Sequence, residues 1–479
     1  MSTFVAVPPA SSRPPRRFRP VRSHRGAVAV GAAGALAAVV AVTLTGGVSG
    51  FAGGQASAAA GSASAAACTV ACTETAADVA LRTGAVDATS TLQAALSRAL
   101  PGSVVAVGAG TYMVSDPLTI PAGVTFVGAG MDATRLVYST AAAAAAPHTF
   151  MIAPAAGVGE GRTGVRGLTL DGAHQASTSE AQTPTGVGGV SAGSGWVIDD
   201  VRLSNLGYFK VWLNSVSDVT VRGSRFEDSG TGASSGHDNI GGGGVSNVTI
   251  SANTVTASAK GNAVDLVRSS GVTLAGNEVE GTATAPHNIY LEGVTNSLVT
   301  DNVLTGSAIS VQSNAEYKDH PAVINPAGVV ITGNTISDTA AQGISVRYDS
   351  PRAGEASAAA GGNTISNNTT SRTGVAGIAI IAEAAGLAVT PDDVSQNTVT
   401  DAFTRGTSTW NTGYGITSAA GIVMGAGAGS QMVGNTVHNT GVGAANYGVQ
   451  VGLDSARWVI ADVQGADSTT VDAGVTTVR

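Results

Sequence analysis

From residue 164 onward one short pattern of apolar and polar positions recurs along the chain: apolar-x-x-Asn-x-apolar, usually preceded by another alternating apolar residue. It reads Val248-Thr249-Ile250-Ser251-Ala252-Asn253-Thr254-Val255, then Val272-Thr273-Leu274-Ala275-Gly276-Asn277-Glu278-Val279. Further copies place asparagine at 302, 334, 368, 397 and 435, and weaker copies without it cover Val165–Leu170, Ile198–Leu203 and Val221–Phe226. The strong copies are 24, 25, 32, 34, 29 and 38 residues apart. A fixed core with variable spacers predicts one coil per repeat, with the insertions held in loops. Alternating strands this short, without a helical pattern between them, exclude βαβ units and predict parallel strands stacked coil on coil, an all-β parallel β-helix. The asparagine is expected at the bend between two sheets, in left-handed backbone, with its amides stacked in a hydrogen-bonded ladder.

The open end of such a stack needs a cover. Thr89–Leu100 predicts a short capping helix, with Leu92, Ala95, Leu96, Ala99 and Leu100 on one face and Pro101-Gly102 closing it. The domain therefore runs over 87–475, preceded by a small-residue linker over 59–86 and a separate segment over 1–58.

The stretch from Thr91-Leu92-Gln93-Ala94-Ala95 through Gly102-Ser103-Val104-Val105, Gly110-Thr111-Tyr112, Ile120-Pro121-Ala122-Gly123-Val124 and Gly128-Ala129-Gly130 resembles the start of the pectate-lyase-like superfamily. The asparagine repeats are similar to its generic β-helix repeats, and the resemblance covers about residues 87–455. It implies a right-handed parallel β-helix. It leaves the reaction open, because such folds host lyases, hydrolases, epimerases and inert scaffolds. Of the polygalacturonase-like motifs N-T-D, D-D, G-H-G and R-I-K, only Asp199-Asp200 matches, and a turn or cap role suits that pair better. Of the D-P-H of alginate epimerases only Pro286-His287 remains, after Ala285. No catalytic assignment is carried over from these families.

A second alternating strand recurs in each coil: Val211-Trp212-Leu213-Asn214, Val264-Asp265-Leu266, Ile289-Tyr290-Leu291-Glu292, Ile309-Ser310-Val311-Gln312 and Ile344-Ser345-Val346-Arg347. With the apolar residues inward, the residues between them face out. Stacking then sets Asp265 beside Tyr290 and Glu292 beside Gln312, with Trp212 nearer one end of the wall and Arg347 nearer the other. Loops add His237 and Asp238, His287, and Lys318 and His320 within Glu316-Tyr317-Lys318-Asp319-His320. All three lysines of the chain, Lys210, Lys260 and Lys318, fall in this window.

Aromatic faces suit pyranose stacking, and carboxylates and amides suit hydroxyls. The candidate catalytic residues are Asp265, His287, Glu292, Lys318 and His320; the candidate substrate-binding residues are Lys210, Trp212, His237, Asp238, Tyr290, Gln312 and Arg347. Asp265 and Glu292, with Cβ atoms roughly 8 Å apart, fit the carboxylate pair of an inverting glycosidase. Lys318 or His320 as base, with Lys210, Lys260 or Arg347 neutralising a uronate, fits β-elimination or epimerisation. The plain alternative stands beside both: His-Asn-Ile-Tyr-Leu (287–291) also reads as ordinary repeat sequence, and Asp265 and Glu292 as solvated outward residues.

Composition narrows the partners. The 479 residues include 65 Gly, 20 aromatics and 56 charged residues, about double the usual Gly share and half the usual charge. The first 58 residues hold six of the 24 basic residues (Arg13, Arg16, Arg17, Arg19, Arg22 and Arg25) and no acid. The remainder carries 18 basic against 32 acidic residues, a net charge of −14, which repels nucleic acid. Arg13–Arg25 followed by the Ala/Val/Gly-rich run Gly26–Leu44 and the A-x-A site Ala56-Ser57-Ala58 predicts a secretory signal peptide. Left uncleaved, the same run would be the only membrane contact. Cys68 and Cys72 predict one small disulfide in an exported protein. No cofactor is expected and no metal is assigned; calcium stays open without a clear ligand set, because the resemblance to calcium-dependent pectate lyases implies several aspartates on adjacent coils and Asp265 has no clear neighbour of that kind. The expected function is a secreted, extracellular polysaccharide lyase on an anionic glycan. The alternatives are an inverting hydrolase or uronate epimerase on the same face, and a non-catalytic glycan-binding scaffold.

Overall fold

The computed structural model describes residues 87–139, 149–155, 163–173, 187–227, 238–256, 261–282, 288–315, 322–352, 355, 360–382, 387, 389–404, 420–425, 429–438, 447–451, 459–461 and 477–478. All belong to one compact unit, Ala67–Arg479; the other unit, Met1–Ala66, lies outside the described residues, as do the predicted signal segment, Cys68 and Cys72.

Every strand pairing in the two sheets is parallel, and each strand pairs with its counterpart one coil away. One sheet of 12 described strands forms a wall from Leu118–Ile120 to Tyr447–Val451. The other sheet is two stacks joined where Thr163–Asp171 and Trp196–Ser204 run unbroken through the bend between them. This is the parallel β-helix that the repeat predicts. Alternation fills its interior. Ile240, Val264, Ile289, Ile309, Ile344, Ile378 and Ile422 pair in unbroken succession on the 12-stranded wall, all buried.

The asparagine ladder runs through the bend as expected. Along Asn253, Asn277, Asn302, Asn334, Asn368, Asn397 and Asn435, each Oδ1 from Asn277 onward accepts the backbone N–H (3.0–3.1 Å) and the Nδ2 (2.8–3.0 Å) of the asparagine one coil earlier. Each Nδ2 also donates to a carbonyl of the preceding coil, such as Val221 O or Leu274 O, at 3.0 Å. The backbone expectation needs correcting. The left-handed residue is the one before the asparagine: Ala252, Gly276, Asp301, Gly333, Asn367, Gln396 and Gly434 all have φ between 52° and 68°. That residue turns the chain, which leaves the asparagine free to point inward, where it is fully buried. Where the inward position is Leu168 or Val201, no amide is there to stack, and the two strands merge into one.

The capping helix spans Thr89–Arg98 and buries Leu92, Ala95 and Leu96. It stops two residues short of the predicted end. Ala99 is already extended, so Leu100 leaves the helical face and is 67% exposed. Gln93 explains how the helix closes the stack: its Oε1 accepts the Thr119 N–H (2.8 Å) and its Nε2 donates to Thr119 O (3.2 Å). The side chain thus gives the first strand of the 12-stranded wall the two bonds a further strand would have made.

A second polar stack lies inside. Asp392 occupies an inward position that is Val248 and Val272 on earlier coils, and it is buried. It accepts from Tyr348 Oη (2.6 Å) and Asn363 N (2.8 Å), and Asn363 Nδ2 donates to the same Tyr348 oxygen (2.6 Å). Burial raises the Asp392 carboxyl to about 6 despite these bonds.

Two predictions follow from these stacks. Asn302→Ala removes a donor and an acceptor from three coils at once and should cost about 3–5 kcal/mol. Asn435→Ala, at the end of the described ladder, should cost less; urea midpoints of the two variants compare them. For Asp392, the folded group holds its proton up to about pH 6, while the unfolded group loses it near 3.9. Its contribution is therefore complete below pH 4 and falls by about 2–3 kcal/mol as pH rises through 6. Asp392→Asn should flatten that part of the curve of unfolding free energy against pH.

Candidate functional site

Strand register assembles the candidate site on the 12-stranded wall. Trp212, Gly241, Asp265, Tyr290, Ser310 and Ser345 pair in succession as one outward row. Two residues further along each strand lies a second row: Asn214, Gly243, Val267, Glu292, Gln312 and Arg347. The inward residue between the rows is apolar on the coils that carry candidates: Leu213, Leu266, Leu291, Val311 and Val346. Asp265 therefore stands beside Tyr290 and Glu292 beside Gln312, as the alternation predicts. The coil between Trp212 and Asp265 is the strand Ile240–Gly243, whose three glycines give no alternating signal in sequence.

Gln312 ties the two rows together. Its Nε2 donates to Tyr290 Oη, through a short contact, and to Glu292 Oε1 at 2.8 Å. One amide thus fixes a phenol and a carboxylate against each other. Glu292 and Gln312 are nonetheless buried, at 0% and 7% exposure, which corrects the expectation that both stand open on the wall. Residues 322–325 fold back against this end of the strands. Asn314 Oδ1 accepts from Ile324 N (2.6 Å) and its Nδ2 donates to Ala322 O (3.2 Å). Ile324 then lies so close to Gly293 that a Cβ there would come within 3.1 Å of it. Asp349 secures the same region: it takes a hydrogen bond from Ser313 Oγ, exchanges backbone bonds of 2.9 Å with the Asn325 side chain, and pairs with Arg347 at 3.4 Å.

A chain of amides sets the Asp265 side. Lys210 Nζ donates to Asn239 Oδ1 (2.8 Å), Asn239 Nδ2 to Asn262 O (3.0 Å), and Asn262 Nδ2 to Asp265 Oδ2 (3.2 Å). Asn262 N donates to Asp238 Oδ1 at 2.7 Å. Lys210 is 1% exposed. It sits beneath the wall as an anchor, a correction to its expected contact with substrate. Asp265, Tyr290, Trp212, Asp238 and Arg347 keep partial exposure. His237, Lys260, His287, Lys318 and His320 lie outside the described residues.

Sequence reasoning overlooked the neighbours of Trp212. Phe209 lies 4.5 Å from Trp212 between ring centroids, tilted 40°; Tyr208 meets Phe209 edge-on at 4.8 Å; Phe150, from an earlier coil, lies 5.6 Å from Tyr208. Burial raises the Tyr208 hydroxyl above its usual range. The adjacent pair Tyr208-Phe209, in a chain only 4% aromatic, was the available signal. Of the pair Asp199-Asp200, only Asp200 has the expected turn role. Asp199 pairs with Arg166 (3.5 Å) and Arg222 (3.0 Å), and Asp200 turns the chain at φ 56°. Among the described residues no three His, Cys, Asp or Glu side chains converge to hold a metal ion.

The arrangement can grip an extended molecule along the row and move a proton at Tyr290 or Asp265. Known proteins agree on the scaffold. Residues 185–318 and 243–460 match the family described as right handed beta helix region, and residues 79–152 match rhamnogalacturonase A/epimerase, pectate lyase-like. No curated protein sequence matches the chain. Among solved structures, the A-module of mannuronan C-5 epimerase AlgE6 from Azotobacter vinelandii is similar at 18% identity and TM-score 0.53, over 83% of this chain and 97% of that one. The catalytic unit of a GH87 alpha-1,3-glucanase from Streptomyces thermodiastaticus shares 16% identity over 81% and 67% of the two chains, with TM-score 0.48. PfbA, a surface adhesin of Streptococcus pneumoniae, shares 13% over 80% and 88%, with TM-score 0.49. At these identities the likeness is one of fold. With more than half its length matched by the family model, this chain belongs to the right-handed β-helix proteins, within the pectate-lyase-like superfamily.

Proposed function

We propose that the chain is an exported polysaccharide lyase, drawing an extended anionic glycan along the wall from Trp212 to Arg347. The observation that carries this reading is the pair of outward rows in which Gln312 locks Tyr290 to Glu292 beside Asp265. Five coil steps separate Trp212 from Arg347, roughly 24 Å, enough for several pyranose rings in line. Elimination removes the proton beside a uronate carboxylate, forms a carbon–carbon double bond and expels the glycosidic oxygen of the next sugar, which takes up a proton. Lys318 or His320 serves as the base, Arg347 offsets the carboxylate charge, and the Tyr290 phenol protonates the leaving oxygen. Export through residues 1–58 brings the protein to such a substrate.

Burial of Glu292 weighs against the inverting hydrolase, which needs two carboxylates open to a water between them. Epimerisation shares the first proton removal and is separated by its product, a uronate of inverted configuration in an uncut chain.

The test is incubation of the purified protein with uronate-containing and neutral polysaccharides, reading the absorbance of unsaturated ends and the reducing ends in parallel. Unsaturated ends from a uronate polymer support elimination; reducing ends alone indicate hydrolysis. Binding without either product leaves the scaffold. Tyr290→Phe should lower kcat by about 10²–10⁴-fold with KM little changed, and undiminished turnover removes Tyr290 from the mechanism. Gln312→Leu leaves a buried carboxylate oxygen without its donor. It should lower stability by about 2–3 kcal/mol, seen as an earlier urea midpoint.

A further inference from the structure

The aromatic group at the Trp212 end is unlike the rest of the wall. Four rings, Phe150, Tyr208, Phe209 and Trp212, form a continuous strip with centroids 4.5–5.6 Å apart, and each keeps partial exposure. Two glycines make room for it. A Cβ at Gly188 would lie 2.4 Å from the Phe150 ring, and one at Gly241 would lie 2.4 Å from the Phe209 ring. Both rings thus lie down over the backbone of a neighbouring coil, in places where any side chain would lift them. Phe209 over Gly241 fills the gap in the outward row between Trp212 and Asp265. The strip is therefore continuous with the candidate site, and Trp212 lies two coil steps from Asp265, about 10 Å or some two pyranose units.

We propose that this strip is a sugar-binding subsite, separate from the reacting position, that takes pyranose rings by their apolar faces and sets the chain length the site requires. This rests on the proposed glycan-processing reading and adds where the remote part of the chain is held. Aromatic faces offer dispersion and C–H contacts to a ring while leaving its hydroxyls to water and to polar neighbours. Lys210, the cation beneath the strip, is buried and bonded to Asn239. Among the described residues, Asp238 and Asp265 are the charges on the coils next to it. Recognition here is accordingly by ring shape, and uronate and neutral sugars are held alike. Binding energy from this remote position reaches the reaction only for oligosaccharides long enough to span both places.

The experiment is a calorimetric titration with a hexauronate, its carboxyl-reduced neutral counterpart and the corresponding diuronate, in the full chain and in Trp212→Ala. Both hexasaccharides should give a saturable change, the disaccharide a much weaker one. Trp212→Ala should weaken both hexasaccharides by about tenfold while its thermal midpoint stays near that of the parent. Gly241→Ala, which retains every ring but displaces Phe209, should weaken them in the same order. Affinity of both hexasaccharides within twofold of the parent in Trp212→Ala overturns the subsite, as does a parent that binds the charged hexamer alone. The outcome is independent of the lyase reading. If no polysaccharide is turned over but the hexasaccharides bind through Trp212, the subsite stands and the elimination chemistry falls. Should elimination proceed at equal kcat/KM on hexamer and dimer in both proteins, the chemistry stands and the subsite falls.

Discussion

From Asn253 onward the stack rests on one repeated buried contact, the asparagine amide that reaches a carbonyl of the coil before and the amide oxygen of the coil after. Parallel pairing alone fixes the distance between neighbouring strands and leaves the bends between sheets under-bonded, because a bend interrupts the ladder of backbone bonds. The asparagine restores those bonds with side-chain groups of matching geometry, and burial strengthens each of them. The result is a rigid stack in which coil n sits squarely over coil n−1, whatever length of loop is inserted between them.

That rigidity is what turns a one-dimensional pattern into a site. Trp212 and Arg347 are 135 positions apart in the chain, yet register alone sets them on one wall. Local interactions then refine the positions. The Lys210–Asn239–Asn262 chain holds Asp265, and Gln312 holds Tyr290 against Glu292. Lys210 and Glu292 follow the same rule: a polar side chain is kept buried where its hydrogen bond orients a neighbour.

The polar groups inside the stack carry a different consequence. Asp392 stands where a valine serves on earlier coils, and its carboxyl shares Tyr348 with Asn363. A polar ladder in an apolar interior ties the later coils together by direction as well as by packing. It also makes their stability responsive to pH, which an all-valine stack would not be.

The sequence by itself determined the coil, the spacing of the ladder and which residues face outward, because a period of two and a repeated asparagine are local properties that every coil reports again. Asp265 beside Tyr290 and Glu292 beside Gln312 followed from that alternation. Tertiary structure alone decided which outward residues remain in contact with solvent. Glu292 is buried at the end of the wall where Ile324 returns against Asn314 and Gly293, and Lys210 is buried with its side chain bonded to Asn239 on the next coil. The glycine strand Ile240–Gly243 and the rings of Phe150 and Phe209 carried no periodic signal. Their meaning lies in which coil sits beside which, and a ring settled over a glycine one coil away is a contact no local pattern encodes. The turn residue ahead of each asparagine was hidden for a related reason: alanine, aspartate, asparagine, glutamine and glycine all occupy it, and the same left-handed bend recurs at Gly167, Asp200 and Gly223, where no asparagine follows.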